Sequence, residues 1–387
     1  MSGDLGTPRP TATAHRDPTA RSALRGLLLA GVAAVGFLLA ALVVSAYLGA
    51  AFGVQTALLA LALALVPLGI VIPTFLWLDR FESEPTRYVV GAFLWGALVA
   101  ALVAALLNTS AIAVLEASTD PQAALQTTAV LVAPFVEEAA KGSLVLLVWW
   151  LARREFDGIT DGMVYAGICA AGFAFTENIQ YLAQAYSEGG GEALTGTFVA
   201  RCLMSPFAHP MFTVLFGVGV GVAATSRTWL PRILGPVLGY LLAVLSHALW
   251  NLAAVSGGRG MVVVYVLVEV PIFLAFLGFV VWARRREGRL IGQFLRPYAD
   301  VGWLSAGEVA MLSSMPRRRE ARAWARANRG RRGLAAMRAF QDTASELALL
   351  RRRVVHSAAD EHAVAQEREL LAALRARRAE FVGLPGA

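Results

Sequence analysis

Charge is scarce in this chain. Only 16% of its 387 residues are Asp, Glu, Lys or Arg, against 57% hydrophobic, a balance outside the usual range of a soluble globular domain. A soluble enzyme is excluded. Cysteine is nearly absent, and Cys169 and Cys202 both fall in apolar runs, so neither a disulfide-stapled secreted domain nor a four-cysteine zinc site can be built. Lysine is rarer still: Lys141 is the only one, and arginine supplies the rest of the permanent positive charge. Of the five histidines, His15, His356 and His362 lie in the tails. Neither a His-Glu-x-x-His helix nor a Gly-x-Ser-x-Gly elbow occurs, which leaves zincin-like and serine-hydrolase readings without support.

What the chain has in abundance is apolar length. A hydrocarbon core about 30 Å thick needs roughly 20 apolar helical residues, and eight runs qualify, at approximately 24–48, 55–78, 88–111, 126–151, 160–185, 196–224, 230–254 and 260–283. The first is too long for a signal-peptide core and lacks an Ala-x-Ala cleavage signature, so it reads as a span. The expected fold is all-α: a polytopic bundle of about eight transmembrane helices over 24–283, preceded by a disordered tail (1–23) and followed by a small basic helical domain (284–387). From Arg284 onward 21 arginines face 11 acids, so about +10 of the net +7 lies there and about −3 before it.

Arginine also orients the bundle, because short cytoplasmic loops are enriched in Lys and Arg. The N-terminal tail holds Arg9, Arg16, Arg21 and Arg25, and alternate loops hold Arg80 with Arg87, Arg153 with Arg154, and Arg227 with Arg232. The intervening loops carry Arg259 and the acids Glu116, Asp120, Glu188 and Glu192. Both termini are therefore expected in the cytoplasm, with Gly189-Gly190-Gly191 in a flexible outer loop.

Ionisable groups within spans cost several kcal/mol on insertion scales and usually face a bundle interior. Here they are grouped. The fourth run reads Pro134-Phe135-Val136-Glu137-Glu138-Ala139-Ala140-Lys141, which puts Lys141 at i+4 from Glu137 and i+3 from Glu138. Two adjacent carboxylates and one ammonium cannot all be neutralised as ion pairs, so one glutamate is left to be protonated, metal-bound or used as a base. The fifth run adds Glu177-Asn178. The sixth carries Pro206 and Pro210 about His209, where each proline removes a backbone donor and opens the helix. The seventh puts His247 and Asn251 on one face at i, i+4. At about 1.5 Å per residue, Glu138 lies about 18 Å, Glu177 about 12 Å, His209 about 20 Å and His247 about 11 Å from the outer ends of their runs. One polar cluster between midplane and outer leaflet is expected.

Two imidazoles and a carboxylate suffice as ligands for a catalytic zinc with an open position for water, a neighbouring glutamate serving as base. The same residues permit a metal-free scheme, in which a glutamate and a histidine activate water while Asn251 and a histidine donate to the oxyanion. Both remain open on the residues alone.

In order, these segments resemble the PrsW intramembrane proteases, distant relatives of the prenyl-protein (CAAX) endopeptidases and bacterial self-immunity proteins. The marks run over about residues 55–285: Asp79-Arg80-Phe81-Glu82-Ser83-Glu84-Pro85, Glu137-Glu138 with Lys141, Asp161-Gly162, Phe173 with Glu177-Asn178, His209 with Phe212-Thr213, and His247 with Asn251. The resemblance implies a multi-pass protein of a bacterial cell membrane that hydrolyses peptide bonds of a membrane-tethered regulator, such as an anti-sigma factor, near the outer face. It further implies Glu137 and Glu138 as the catalytic acid pair with Lys141 orienting one of them, Glu177, His209 and His247 as metal-binding or base positions, and Asn251 as an oxyanion or substrate donor. Any Zn2+ would be held by Glu138, Glu177, His209 and His247. The CAAX relatives commonly carry histidine where Glu177 stands, which argues against prenylated substrates. An ion-coupled transporter is the alternative from another class, yet no internal repeat of paired broken helices is found. A non-catalytic scaffold would have no need of the glutamates and histidines.

Three features outside this set have plainer readings. Glu269 in the last run is expected as a structural hydrogen-bonder, Arg201 as a snorkelling residue, and the Asp79–Pro85 segment as loop structure. In the tail, Ser305-Ala306-Gly307-Glu308 forms a capping box. Leu334, Met337, Phe340 and Gln341, then Ala344, Leu347, Leu349 and Leu350, make one apolar stripe, and a further helix spans about 357–380. The clusters Arg284–Arg286, Arg317–Arg319 and Arg351–Arg353 suit anionic lipid headgroups. No nucleic-acid motif accompanies them.

Overall fold

The computed structural model describes residues 18–81, 84–152, 156, 158–356 and 361–382. Outside them lie most of the expected N-terminal tail, Glu82 and Ser83, the Arg153–Arg154 flank and the first turn expected of the last helix. The described residues are helical, without strands, and form a polytopic helical bundle with a helical tail. By length and composition, six stretches among them are long and apolar enough to cross a membrane: Ala30–Phe52, Val54–Leu78, Thr86–Glu116, Ile159–Thr225, Trp229–Ser256 and Gly260–Asp300.

The eight apolar runs map onto these helices with two differences. Helix α1 (Pro18–Phe52) starts within the segment expected as tail, and α2 is Val54–Leu78. Helices α3 (Thr86–Leu94) and α4 (Ala101–Glu116) are joined by a π-helical turn at Trp95–Ala100. The run at 126–151 becomes α5 (Pro121–Thr127), a π turn at Thr128–Val132 and α6 (Ala133–Leu151); its three charges keep it out of the composition-based set of spans. Asp120 starts α5 by accepting from the Ala123 N–H at 3.0 Å, ahead of a proline that needs no donor.

The fifth and sixth runs are two helical segments joined at a single glycine, where a flexible loop was expected between them. Helix α7 (Ile159–Phe198) breaks only at Gly190, where φ 63° and ψ −151° reverse the chain with a backbone that glycine alone adopts easily. The stretch continues through a π turn (Val199–Met204) to a break at 205–207, beyond which α8 (Ala208–Thr225) begins. The prolines expected to open this helix flank His209 as Pro206 and Pro210. Helix α9 is Trp229–Ser256, and α10 (Gly258–Val264) passes through a π turn at Tyr265–Glu269 into α11 (Val270–Asp300).

Helix α7 is the centre of the bundle, with every residue from 162 to 173 buried. Small residues bring its neighbours to backbone contact, as in membrane bundles where the hydrophobic effect gives little drive between helices. A Cβ on Gly162 would meet the Gly217 carbonyl oxygen at 2.0 Å, and one on Gly219 would meet that of Gly235 at 2.1 Å. Helices α7, α8 and α9 are thereby locked together. Large aliphatics point outward instead, among them Val35, Leu38 and Leu42 of α1 and Leu238, Leu241 and Leu245 of α9.

Helix α11 crosses residue 284 unbroken and carries the chain into α12 (Ala306–Leu312), α13 (Met315–His356) and α14 (Glu361–Val382). The capping box forms as expected: the Glu308 N–H donates to Ser305 Oγ at 3.1 Å and the Ser305 N–H to Glu308 Oε2 at 2.7 Å. Helix α13 folds back on itself at Gly330, with nearly the same backbone angles as Gly190 (φ 62°, ψ −149°). The apolar stripe lines the resulting core with Met337, Phe340, Ala344, Leu347 and Leu350.

One arginine cluster departs from expectation. Arg318 is fully buried, its guanidinium donating to the Leu312 carbonyl (2.7 Å), the Phe81 carbonyl (3.2 Å) and Ser345 Oγ (2.6 Å) while lying over the Phe81 ring. Burial holds its pKa down to about 10. It is a strut between the tail and the segment after α2, and no headgroup reaches it. The described residues at the two ends of that loop are tied together: the Glu84 N–H donates to Asp79 at 2.8 Å, and Tyr165 donates to Glu84 at 2.5 Å. Burial pushes the Asp79 carboxyl up to about 8, the Asp161 charge adding to the shift.

Candidate functional site

Four helices bring six of the seven sequence-selected side chains together. From α6 come Glu137, Glu138 and Lys141; from α7, Glu177; from the first turn of α8, His209; from α9, His247. Glu138 and Lys141 show no exposed surface and His247 1%, so every polar atom here needs a partner within the protein.

Lys141 takes Glu138 as its partner, Nζ to Oε1 at 2.6 Å. The same oxygen lies 2.9 Å from His247 Nδ1, and the other is 2.8 Å from the Thr213 hydroxyl. Both oxygens of Glu138 are occupied. Glu177 pairs with Arg201, whose Nε also donates to Asn178 Oδ1 at 2.9 Å; the snorkelling reading of Arg201 is thus corrected to an internal ion pair. Glu177 further faces His209 Nε2 at 2.7 Å.

Glu137 is the carboxylate left over. Its Oε1 accepts from Asn108 of α4 at 3.1 Å, while its buried Oε2 has no hydrogen-bond partner and faces His247 Nε2 at 3.7 Å. Two cations, Lys141 and Arg201, thus stand among three carboxyl groups, and Glu137 is the one that neither of them bonds.

The proton positions follow from the partners. An ammonium has no lone pair, so Lys141, 3.3 Å from His209 Nδ1, must donate there, leaving the His209 proton on Nε2, toward Glu177. His247 is the reverse: Nδ1 donates to Glu138 and Nε2 presents its lone pair to Glu137. Phe212 stacks on His247 at 5.3 Å, and Phe173 lies under Lys141 at 4.5 Å, fixing both in place.

Metal-ligating atoms of Glu137, His209 and His247 all lie within 4.8 Å of one another. This donor group departs from the expected set, since Glu137 replaces Glu138 and Glu177 is absent. The reason is pairing: Glu138 and Glu177 are neutralised by Lys141 and Arg201, whereas Glu137 has no cation. The residues fit a divalent ion. A buried carboxylate oxygen is orphaned, an imidazole lone pair faces it, and that imidazole donates its other N–H to a carboxylate, as metal-binding histidines usually do.

Asn251 does not join the cluster. Its amide donates to the Ala129 carbonyl at 2.7 Å, tying α9 to the π turn ahead of α6 instead of offering a donor to an oxyanion. Asn251→Ala is expected to destabilise the fold by about 0.5–1.5 kcal/mol, read as a lower unfolding temperature in detergent, with only a small change in activity. A hundredfold loss of activity at unchanged stability would restore the oxyanion role. Glu269 also differs from expectation, its buried Oε1 having no hydrogen-bond partner. Asn108 was not selected from the sequence, because nothing in a lone amide on an apolar run announces its partner.

Residues 84–276 match the model of a family described as PrsW family intramembrane metalloprotease. Protease PrsW of Geobacillus kaustophilus is 31% identical over 156 residues, 40% of this chain and 63% of that protein. Protease PrsW of Clostridioides difficile is 31% identical over 140 residues, 36% of this chain and 55% of the relative, and that of Oceanobacillus iheyensis 31% over 99 residues, 26% and 41%. The matched stretches span between about two fifths and just under two thirds of the length of these relatives. No solved structure matches it.

Proposed function

Starting from the match of residues 84–276 to the PrsW family, we propose that the chain is an intramembrane endopeptidase. Its substrate is a membrane-tethered regulatory protein such as an anti-sigma factor, cut near the outer membrane face. The observation that carries this reading is the division of labour between the two adjacent glutamates of α6. Glu138 is neutralised by Lys141 and holds His247 by its Nδ1–H, and Glu137 keeps an unpartnered oxygen opposite His247 Nε2.

Glu137 Oε2 and His247 Nε2 present free lone pairs that would hold a divalent ion such as Zn2+, and His209 would complete the group by giving up its bond to Lys141 or to Glu177; when bound, the ion supplies Lewis acidity and a water that ionises near neutral pH. The chain's own groups do the rest. Glu138 keeps His247 in the tautomer with a free Nε2. Lys141 directs the His209 proton to Nε2, and Arg201 holds Glu177 beside it. In the metal-free scheme Glu137 Oε2 is the position from which a proton can be taken from an attacking water, since it is buried and no cation or donor bonds it. Asn251 acts by positioning α9 against the turn before α6.

The membrane is that of a bacterial cell on this reading, and the alternation of arginine-bearing loops supports a topology with both termini cytoplasmic. The transporter reading finds less support, because two of the three buried carboxylates are already fixed in ion pairs instead of standing free along a relay.

The test is cleavage of a panel of single-span reporters by the purified protein, with and without a chelator. Loss of cutting on chelation, restored by Zn2+, is the expected result. Cutting that persists in chelator would favour the metal-free glutamate scheme, and transport activity without cutting of any reporter would sink the peptidase reading.

A further inference from the structure

A cavity of about 1160 Å3 opens where α2 and α11 leave the apolar bundle and meet α12 and α13. Its walls hold seven arginines and a single acid, Asp300. Among them Arg80 follows α2, Arg284, Arg285 and Arg289 lie on α11, and Arg319 and Arg322 on α13. No sequence segment contains this group; three chain regions assemble it, with Arg80 more than 200 residues from the other two. Among the described residues, Arg80, Arg285, Arg289 and Arg319 form no salt bridge. Burial holds the Arg322 guanidinium below the usual arginine range, the charge of Asp342 opposing the shift and those of Arg338 and Arg80 adding to it.

The other end of the cavity is made for the membrane interface. Trp77 and Val281 line it, and Arg284 lies over the Trp77 ring at 3.7 Å while bonding the Trp77 carbonyl. Tryptophan and arginine at the ends of spans mark headgroup level. Immediately above, Leu274, Leu277 and Val281 of α11 and Leu76 of α2 are exposed, an apolar surface beside a cationic cavity.

We propose that this cavity binds the phosphate-bearing headgroup of an anionic phospholipid, with the acyl chains lying along α2 and α11. The proposal is independent of the peptidase reading. It also differs from diffuse attraction of the tail's arginine clusters to a charged surface, because it requires one site of defined composition. A phosphate accepts bidentate bonds from several guanidinium groups at once, and it neutralises charge that the protein leaves uncompensated.

The full chain, purified in neutral detergent, is titrated in native mass spectrometry with cardiolipin, phosphatidylglycerol and phosphatidylcholine, and separately with pyrophosphate. The comparison is between Arg285→Gln, Arg289→Gln, Arg319→Gln and a charge-matched control, Arg326→Gln, Arg331→Gln, Arg332→Gln, on exposed positions outside the cavity. The expected result is one tightly held anionic lipid per chain, weakened roughly tenfold or more in the cavity variant and unchanged in the control. Should the triple variant fold poorly, Arg289→Gln and Arg319→Gln singly are each expected to weaken binding severalfold. Equal losses in cavity and control variants would overturn the site in favour of diffuse attraction. Phosphatidylcholine bound as well as cardiolipin, or pyrophosphate bound as tightly as lipid, would overturn it too.

Discussion

Replacing Glu137 by glutamine is expected to slow reporter cleavage by roughly 10²- to 10⁴-fold, the range for loss of a general base, while the inserted, folded protein is undiminished. Glutamine keeps the shape of the side chain and an oxygen for Asn108 to donate to, at a contact now 3.1 Å long. It touches no ion pair, since neither Lys141 nor Arg201 bonds Glu137, so the change costs the fold little. It also replaces the unpartnered oxygen opposite His247 Nε2, and with it either a proton acceptor or a metal ligand. Cleavage and unfolding temperature are measured on the same preparation, and zinc content beside them. A stable Glu137→Gln protein that still cuts at the original rate would end the assignment.

Lys141→Met should behave in the opposite way, losing the fold before the chemistry. The ammonium is the only full cation touching Glu138, and both residues are completely buried. Methionine fills the space and leaves a carboxylate in the protein interior without compensation, a change that costs about 3–5 kcal/mol where buried pairs have been broken on one side. Lower yield of inserted protein and a marked fall in unfolding temperature are expected. Pairing the change with Glu138→Gln removes the stranded charge and should recover most of the stability. If the single variant unfolds at the wild-type temperature, the 2.6 Å pair is not what holds α6 in place.

The two outcomes differ because adjacent residues on a helix point about 100° apart. The pattern Glu-Glu-x-x-Lys shows that one carboxylate is in excess, but which one depends on what α4, α8 and α9 present to each side. Asn108 meets Glu137 from α4, and Thr213 with His247 meets Glu138 from α8 and α9. Neither contact is local in sequence. The apolar runs, by contrast, are legible at once, since span length and side-chain hydropathy are properties of the segment alone. So is the capping box at Ser305, whose two bonds close within four residues.

Arg201 and Arg318 escaped for a shared reason. A long cationic side chain near the end of an apolar run, or within an arginine cluster, is most simply placed in water or among headgroups. Only the assembled structure supplies Glu177 for the one, and the carbonyls of Leu312 and Phe81 for the other. The reversal at Gly190 was half legible: three glycines announced a change of direction, but not that helix would resume on both sides of one residue.

The uncompensated carboxylate of α6 also lies within the electric field of the membrane. A full elementary charge carried across 100 mV exchanges about 2.3 kcal/mol with that field, and a charge held inside the bundle takes the share set by its depth. A proton or metal ion that neutralises Glu137 therefore moves with or against the membrane potential on its way in. An energised and a de-energised membrane would load the same site to different extents from the same solution.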